Sequence, residues 1–584
     1  MRRVTNGEIA DLLDQIADLL ELENESPFRV RSYRRAAETV RAYPEELINL
    51  HAAGKLTTVP GIGESLAQKI AEYIETGSLQ YLENLRAKYP DGVLEMLKIP
   101  GFGPRSAARV FQELGITTVD ELEEAARQGR LRQLPGFGAK SEEKLLHNIA
   151  LYRQAAERGL LAEVLPIAEA LVAKLRAMPE VKECEMAGSV RRKRETVGDL
   201  DILAISTDPP KICAEFQRFD ELQEIIGAGD TKVSARLVGG RQVDLRVVEE
   251  DSYGAALQYF TGSKQHNIAL RERANRMGLT VNEYGVFVEQ GERKGEKVAG
   301  RTEEEVYAAL GLPWIPPELR ENHGEIEAAE KGQLPKLIEL SDIKGDLQMH
   351  TRYSDGHHSV EEMAEAARVL GYSYIGITDH SPTLQVAHGM TVDDIKRQHE
   401  EIHELNERYK QEGAKFTVLH GIEADILSEG TVDLPEEVID LFDYVIGSIH
   451  QGFSPDVERM TARMIAGIES GLIDIVAHPT GRVLLGRDAY GLDIDEVIQA
   501  AAKNDVALEI NAFPNRLDLS DVNARRARDR GCKLSINTDA HDVAHLQFMQ
   551  YGVYTARRGW IEAPNVINTW SLQKLRSWLR KRRQ

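Results

Sequence analysis

The chain contains 584 residues, 42% hydrophobic and 28% charged, and it can hold several domains because single cores stop growing near about 250–300 residues. Its net charge of −22 argues at first against a polyanionic partner, but basic residues cluster at 29–35, 191–194 and 574–583, and local potential decides where phosphates bind. No apolar run approaches the roughly 20 residues of a membrane span, and the N-terminus lacks a signal-peptide pattern. The three cysteines offer neither a disulfide framework nor a CxxC metal-binding motif. We therefore expect a soluble, cytoplasmic protein without membrane contact.

Three segments near the N-terminus repeat one pattern, an apolar residue and Pro-Gly-x-Gly followed by an amphipathic helix. They are VPGIGESLAQKIAEYI (59–74), IPGFGPRSAARVFQEL (99–114) and LPGFGAKSEEKLLHNI (134–149). Glycines allow a tight turn that leads into a helix N-terminus, where backbone N–H groups are accessible. These N–H groups can bind a phosphate without contacting the bases. The repeat resembles the helix-hairpin-helix motif of DNA repair proteins and polymerases. We expect residues 1–160 to be helical and to bind DNA, although such turns could merely link helices.

The pattern changes from about residue 165, where segments 198–205, 241–249 and 279–289 have the apolar, β-branched character of strands. Asp199 and Asp201, in GSVRRKRETVGDLDILAIS (188–206), are expected on one face of a strand because side chains two residues apart share a face. Asp244, in GGRQVDLRVV, lies mid-strand, where an unpaired carboxylate would be costly. The three carboxylates can hold two ions, Mg²⁺ or Mn²⁺. The first two alone are also compatible with a capped turn and a solvated side chain.

Four motifs together resemble the palm and thumb of family X DNA polymerases, the polymerase beta type. They are Gly188-Ser189, GDLD, VDLR and YFTGS (259–263), and the resemblance covers about residues 1–320. It implies an α+β nucleotidyltransferase palm in which Asp199, Asp201 and Asp244 are catalytic. The nucleotide-binding residues that it implies are Gly188, Ser189 and Arg192 at the phosphates, Tyr259, Phe260 and Gly262 at the sugar, and Asn267 and Arg271 at the nascent pair and template. The implied partners are a dNTP and gapped or primer-template DNA.

The same resemblance implies a second chemistry at Lys69, which aligns with the lysine that forms a Schiff base with a 5′-deoxyribose phosphate in polymerase beta. The surrounding pocket matches in part: Tyr33, Arg34 and Arg29 match or approximate it, while Phe28, Ser65 and Tyr81 replace basic or imidazole groups. Lyase activity needs a lowered pKa of the lysine, from burial or neighbouring cations. A lysine near phosphate-binding turns is otherwise a plain electrostatic contact.

After residue 340, short apolar strands alternate with helices, which predicts a parallel barrel. The strand segments are 374–380, 416–426, 444–450, 473–479, 506–512 and 533–541. Barrel active sites collect at the C-terminal ends of strands, so the acidic and imidazole side chains there are expected to meet and bind metal. They are His350, Asp355, His380, Glu423, His450, His478, Asp539 and His541. A single such histidine would more often be a core residue.

This set resembles a PHP domain, the polymerase and histidinol phosphatase family of distorted (β/α)7 barrels, over residues 342 to about 545. The resemblance implies up to three metal ions, Zn²⁺ or Mn²⁺, that cleave phosphoesters. Their implied ligands are His350, Glu423 and Asp539, then Glu423, His450 and His478, then Asp355, His380 and His541. The family opens with His-x-His, but this chain has Gln348 at the first position. A carboxamide is a weaker ligand than an imidazole, so we expect a loose or Mn²⁺-selective first site and reduced nuclease activity.

The chain is thus predicted to be multidomain. Its expected parts are an N-terminal lyase-like DNA-binding domain (1–85), a helix-hairpin-helix fingers-like domain (86–160), the palm (161–255), a thumb-like subdomain (256–318), a linker (319–341) and the PHP domain (342–584). This order matches bacterial family X polymerases, which implies a monomeric gap-filling polymerase of base-excision or end-joining repair with 3′–5′ exonuclease and AP-endonuclease activities.

Three alternatives stay open. The chain could be a different nucleotidyltransferase whose PHP domain is a small-molecule phosphatase, or a DNA-end-binding scaffold with two vestigial sites. It could also be a polymerase whose PHP domain is structural or weakly active because of Gln348.

Overall fold

The computed structural model describes residue 4 and residues 6–41, 47–454 and 456–582. Arg583, the end of the basic cluster at 574–583, lies outside these ranges. The chain divides into two compact units, Met1–Ala156 and Glu157–Gln584. Across the described ranges, every helix is too short or too polar to traverse a lipid bilayer.

The first unit consists, in its described residues, of helices joined by turns, as the repeats predict. Its helices are α1 (Asn6–Leu22), α2 (Pro27–Arg41), α3 (Leu47–Ala52), α4 (Glu64–Thr76), α5 (Gln80–Arg86), α6 (Asp91–Met96), α7 (Pro104–Leu114), α8 (Val119–Arg127) and α9 (Ala139–Glu157). Helices α4 and α7 begin directly after the second glycine of a Pro-Gly-x-Gly turn. The first glycines, Gly61 and Gly101, have φ of 79° and 70°, a left-handed conformation that glycine adopts without strain.

The second unit begins with a mixed region of helices and sheets. The helices are α10 (Leu161–Arg176), α11 (Gly188–Arg191), α12 (Pro209–Phe216), α13 (Tyr253–Thr261), α14 (Lys264–Arg276), α15 (Glu303–Ala309) and α16 (Glu325–Glu330). The strands are β1 (Gly159–Leu160), β2 (Val181–Met186), β3 (Thr196–Val197), β4 (Leu200–Ser206), β5 (Leu222–Ala228), β6 (Lys232–Leu237), β7 (Gln242–Val247), β8 (Leu279–Asn282), β9 (Gly285–Val288) and β10 (Lys297–Ala299).

A five-stranded sheet in the order β2-β4-β7-β6-β5 carries the predicted carboxylates. Strands β4 and β7 are parallel, and their register places Asp201 opposite Asp244. The segment 279–289, predicted as a strand, is the antiparallel hairpin β8–β9. The Asn282 side chain accepts a hydrogen bond from the Tyr284 N–H at 2.9 Å, a local contact that favours a turn over continued strand.

The remainder of the unit is a parallel barrel. Its helices are α17 (Val360–Val369), α18 (Val392–Gln411), α19 (Val457–Glu469), α20 (Ile494–Lys503), α21 (Asp521–Asp529), α22 (Met549–Arg558) and α23 (Leu572–Arg582). Its strands are β11 (Gly345–Asp346), β12 (Tyr374–Ile377), β13 (Thr417–Asp425), β14 (Tyr444–Ser448), β15 (Ile475–Val476), β16 (Ala507–Asn511) and β17 (Leu534–Asn537), in sequential order. A parallel bridge between Met349 and Ala540 joins the first and last strand segments. The predicted (β/α)7 barrel is therefore confirmed.

Palm and barrel share a hydrophobic core within the second unit. Leu517 and Tyr551 of the barrel region are buried in the same cluster as Val243 of the palm sheet. The segment 319–341, predicted as a linker, contains α16, and its residues Arg320 and Glu325 are fully buried. The palm therefore packs directly on the barrel.

Candidate active sites

Three carboxylates lie near the start of β4 and the middle of β7. Asp199, one residue before β4, is exposed, whereas Asp201 and Asp244 are half-buried neighbours. The pKa of Asp201 is raised to about 6, first by burial and then by the charges of Asp199 and Asp244. Among the described residues, the three are not a set whose ligand atoms all lie within 4.8 Å. A divalent cation would offset their repulsion, so this all-oxygen donor set fits Mg²⁺ or Mn²⁺.

The turn at Gly188 lies directly against this carboxylate group. The Ala187 N–H donates to the Asp201 carbonyl at 2.8 Å. Gly188 has φ of 64°, and a Cβ at its position would lie 3.2 Å from Asp201 Oδ2. The Ser189 carbonyl accepts from the Arg194 N–H at 3.0 Å. The structure therefore brings the predicted phosphate-binding turn to the predicted metal ligands.

Two adjacent arginines tie this turn to the YFTGS segment. Arg191 donates to Thr261 Oγ1 at 2.7 Å and forms two hydrogen bonds to Glu303. Arg192, predicted to hold the triphosphate, donates to the Thr261 carbonyl and, through Nε, to Glu321 Oε1 at 3.0 Å. Burial lowers the pKa of Arg192, and Glu321 opposes that shift. The positive charge of the Arg192 guanidinium is thus partly offset by Glu321 at the edge of the site.

The other predicted nucleotide-binding residues lie on α13, α14 and the turn between them. The rings of Tyr259 and Phe260 meet edge to face with centroids 5.2 Å apart, and Arg246 lies 4.5 Å above the Phe260 ring. Asn267 donates to the Tyr259 carbonyl at 2.7 Å and accepts from Gln258. Its amide therefore holds the two helices together. The Arg271 side chain is exposed one turn further along α14.

Lys69 lies on α4 in the first unit, with its ammonium near a second cation. Lys69 Nζ donates to Ser65 Oγ at 2.9 Å and lies 5.0 Å from the centre of the Tyr81 ring, whose hydroxyl accepts from Arg29 at 2.8 Å. The pKa of Lys69 is lowered, first by burial and then by the charge of Arg29. Arg34, predicted for the same pocket, instead pairs with acidic residues of α1.

Glu423, near the end of β13, lies at the centre of the barrel cluster. Its Oε1 lies 3.1 Å from His478 Nε2 and 3.3 Å from His450 Nε2. Its Oε2 lies 3.3 Å from His350 Nε2 and 3.6 Å from His380 Nδ1. Burial alone would raise the pKa of Glu423, but the neighbouring histidines, led by His380 and His450, hold it well below its usual value. One carboxylate therefore bridges two groups of imidazoles.

The other two acids complete the cluster. Asp355 Oδ1 lies 3.4 Å from His541 Nε2 and 3.6 Å from His380 Nε2, and Asp539 Oδ1 lies 3.1 Å from His350 Nε2. Three sets have ligand atoms all within 4.8 Å: His350, Asp355, His380 and His541; His380, Glu423 and His450; and His350, Glu423 and Asp539. Of the predicted ligands, His478 belongs to none of these sets of described residues, although it contacts Glu423.

Buried polar atoms at this cluster indicate that a metal fits. Among the described residues, Nδ1 of His350 and of His380 and Oε2 of Glu423 are buried without a hydrogen-bond partner. Buried polar atoms are rarely left in that state. The pKa of His380 is lowered to about 3, first by burial and then by His350, which favours the neutral imidazole that binds metals. The mixed nitrogen and oxygen set suits Zn²⁺ or Mn²⁺.

A cavity of about 290 Å³ opens onto the cluster. Its walls combine predicted metal-ligand side chains with Arg516 and the apolar residues Leu384, Val386 and Ala387. His541 Nδ1 lies 2.8 Å from the Asp539 carbonyl, and His450 Nδ1 lies 3.3 Å from Asp425. Such contacts orient the imidazoles toward the cavity.

Several charged residues at these sites were missed by sequence reasoning. They are Arg191, Glu303, Arg320 and Glu321 around the palm turn, and Arg516 in the barrel cavity. The acidic partners of the palm arginines lie 112 and 129 residues away along the chain. Only the basic run at 191–194 offered a local signal, and it could not identify the partners.

Comparison with known proteins places these sites in a family. A helix-hairpin-helix domain matches residues 4–79, a tandem helix-hairpin-helix domain 93–148, a DNA polymerase beta thumb 256–321 and a PHP domain 346–513. The chain is 39% identical over 577 residues to "DNA polymerase/3′-5′ exonuclease PolX" of Bacillus subtilis (strain 168), covering 98% of this chain and 99% of that protein.

Two further relatives each match about half of this chain. A "probable phosphatase" of Thermoanaerobacter sp. (strain X514) is 30% identical over 252 residues, 41% of this chain and 95% of that protein. DNA polymerase lambda of Rattus norvegicus is 25% identical over 342 residues, 54% of this chain and 56% of that protein. The fold and sites thus define a class, a polymerase beta-like core joined to a PHP domain. The chain belongs to the family X DNA polymerases with a C-terminal PHP domain, the family of B. subtilis PolX, as its motifs predicted.

Proposed function

We propose that the chain is a DNA polymerase that fills short gaps during base-excision or end-joining repair, and that its PHP domain removes nucleotides from 3′ ends. The placement of Asp201 opposite Asp244, with the Gly188 turn against the same carboxylate, is the observation that carries the polymerase assignment. The full-length relative named as a polymerase and exonuclease supports both activities. The partners would be gapped DNA and a dNTP, and the enzyme would act as a monomer in the cytoplasm.

In the polymerase site, Asp199, Asp201 and Asp244 would hold Mg²⁺ or Mn²⁺, which supplies charge neutralisation for phosphoryl transfer. Because Gly188 has no side chain, a triphosphate could approach the backbone beside these carboxylates closely. Ser189 and Arg192 would bind its oxygens, the arginine through the face not taken by Glu321.

The sugar and template side of the polymerase site would be formed by α13 and α14. Tyr259, Phe260 and Gly262 would line the sugar. Asn267 and Arg271 would face the nascent pair and the template, with Asn267 also fixing the angle between the helices through the Tyr259 carbonyl.

In the barrel, His350, Asp355, His380, Glu423, His450, His478, Asp539 and His541 would hold up to three ions, Zn²⁺ or Mn²⁺, which supply a water activated near neutral pH. Arg516 would bind the phosphate of the terminal nucleotide. The apolar wall of Leu384, Val386 and Ala387 would cover its sugar or base. An AP-endonuclease activity would use the same cavity.

The lyase reaction is proposed for Lys69 in the first unit. Its lowered pKa leaves more neutral amine available to attack the aldehyde of a 5′-deoxyribose phosphate.

A second candidate for the barrel is a structural or weakly active domain. It is favoured by Gln348, which is fully buried and whose amide has no partner among the described residues. A carboxamide in place of an imidazole weakens one metal position, while the remaining ligand sets are complete.

The test uses two isosteric variants of the full-length chain, Asp201→Asn and Glu423→Gln. Primer extension on a one-nucleotide gap and digestion of a single-stranded 3′ end are measured with Mg²⁺ and Mn²⁺. Asp201→Asn should lose extension and keep digestion, and Glu423→Gln should do the reverse. Normal extension by Asp201→Asn would refute the polymerase assignment, and an inactive wild type in digestion would favour the structural barrel.

A further inference from the structure

A buried ion network connects the nucleotide-binding turn of the palm to helix α22 of the barrel. Arg558, the last residue of α22, has a side chain only 4% exposed. Its Nη2 lies 2.7 Å from Asp521 Oδ2, and its Nη1 lies 3.0 Å from Glu321 Oε1. The same Nη1 donates to the carbonyl oxygen of Arg192 at 3.0 Å. A barrel side chain therefore holds the backbone of a palm residue proposed to bind the triphosphate.

Glu321 is shared between the two domains. Its Oε1 accepts from Arg192 Nε and lies near Arg558 Nη1, both at 3.0 Å, while Arg194 lies 3.9 Å away. Among the described residues, these three guanidinium groups lie within 4.0 Å of two carboxylates, Glu321 and Asp521. Without Arg558, Glu321 would pair mainly with Arg192.

Two other residues of the turn also contact the barrel. Lys193 lies 4.9 Å above the ring of Tyr554, which is also on α22. Glu195 accepts from Arg482 of the barrel at 2.7 Å. Two residues that follow Arg192 thus contact barrel side chains.

We propose that Arg558 is a positioning residue of the polymerase site. It fixes the Arg192 carbonyl and shares Glu321, so that the Arg192 guanidinium stays oriented and available to a triphosphate. The barrel then contributes to nucleotide binding independently of its own metal cluster. This inference rests on the polymerase function proposed above.

The neighbouring residue provides a matched control. Arg557, on the same helix, donates to Glu318 Oε1 at 2.7 Å and to the Ile338 carbonyl at 3.0 Å. Its bonds within the described residues go to these groups and not to the 188–195 turn. Arg557→Ala therefore removes a comparable ion pair between α22 and its surroundings.

The experiment measures gap filling by the full-length wild type, Arg558→Ala, Arg557→Ala and the double variant Arg558→Ala/Glu321→Gln. Arg558→Ala should raise the KM for dNTP about tenfold, the effect of losing one charge-assisted contact. Its Kd for gapped DNA and its 3′-digestion should stay at the wild-type values. Arg557→Ala should keep the wild-type KM. The double variant should have a KM for dNTP between those of Arg558→Ala and the wild type, because the uncharged side chain at position 321 no longer pairs with the Arg192 guanidinium.

Each outcome decides the inference. A wild-type KM for dNTP in Arg558→Ala would overturn it, because Arg558 would then have no effect on nucleotide binding. An equal rise in KM in Arg557→Ala would also overturn it, because it would indicate a general loosening of α22. If thermal unfolding shows that Arg558→Ala does not fold, Arg558→Lys replaces it, because lysine keeps the charge but cannot reach all three acceptors. If the wild type extends no primer, the proposed polymerase function is refuted. This result is distinct from a difference in KM among the variants.

Discussion

Replacing Gly188 with alanine tests whether the palm turn and the carboxylates form one site. The new Cβ would lie 3.2 Å from Asp201 Oδ2, so that carboxylate must move by a few tenths of an ångström. Misplacing a reacting group by about 1 Å costs about 100-fold in rate, so this smaller shift should lower kcat for one-nucleotide gap filling by up to about 10-fold. The φ of 64° adds about 1–2 kcal/mol of backbone strain for a residue with a Cβ.

Gly278→Ala separates these two effects. Gly278 has φ of 72° and no atom within 4 Å of the position its Cβ would take, so this variant carries the backbone strain without the contact. Both variants should lose similar stability in thermal unfolding, and only Gly188→Ala should lose kcat. Equal kcat in the two variants would refute the reasoning that the turn sets the position of Asp201.

Three further predictions concern the separate sites. Asp244→Asn should abolish extension by orders of magnitude while gapped-DNA binding, measured by fluorescence anisotropy, persists through the helix-hairpin-helix turns; normal extension would contradict a role for this carboxylate. Gln348→His should increase Mn²⁺-stimulated release of 3′-terminal nucleotides because imidazole is the better ligand, and His450→Ala should decrease it; if the wild type is inactive and Gln348→His does not restore digestion, the barrel is not a nuclease. Arg29→Ala should raise the pKa of Lys69, so borohydride trapping of a 5′-deoxyribose phosphate end should fall at neutral pH and approach the wild-type level at high pH, where both amines are neutral; unchanged trapping at neutral pH would disprove the contribution of Arg29.

Local sequence patterns were sufficient to predict the helices after the Pro-Gly-x-Gly turns, the pair of palm carboxylates and the barrel cluster. The Pro-Gly-x-Gly turns predicted the helices that follow them because left-handed glycines and helix N-termini are properties of a few consecutive residues. The two-residue spacing of Asp199 and Asp201 places both near the same end of β4. The barrel cluster was predictable because all parallel strands end at one face, which brings residues that are distant in sequence to one opening.

Only the tertiary structure decided which charges neutralise one another. Arg192 was predicted from the resemblance to family X polymerases, but its partner Glu321 lies 129 residues away and Arg558 contacts it from 366 residues away. Hydrophobic periodicity reports which face of an element is buried, and it carries no information about which other element covers that face. Charged pairs between packed elements depend on that choice, so the joint core of palm and barrel and the shared carboxylate of Glu321 follow from tertiary packing alone.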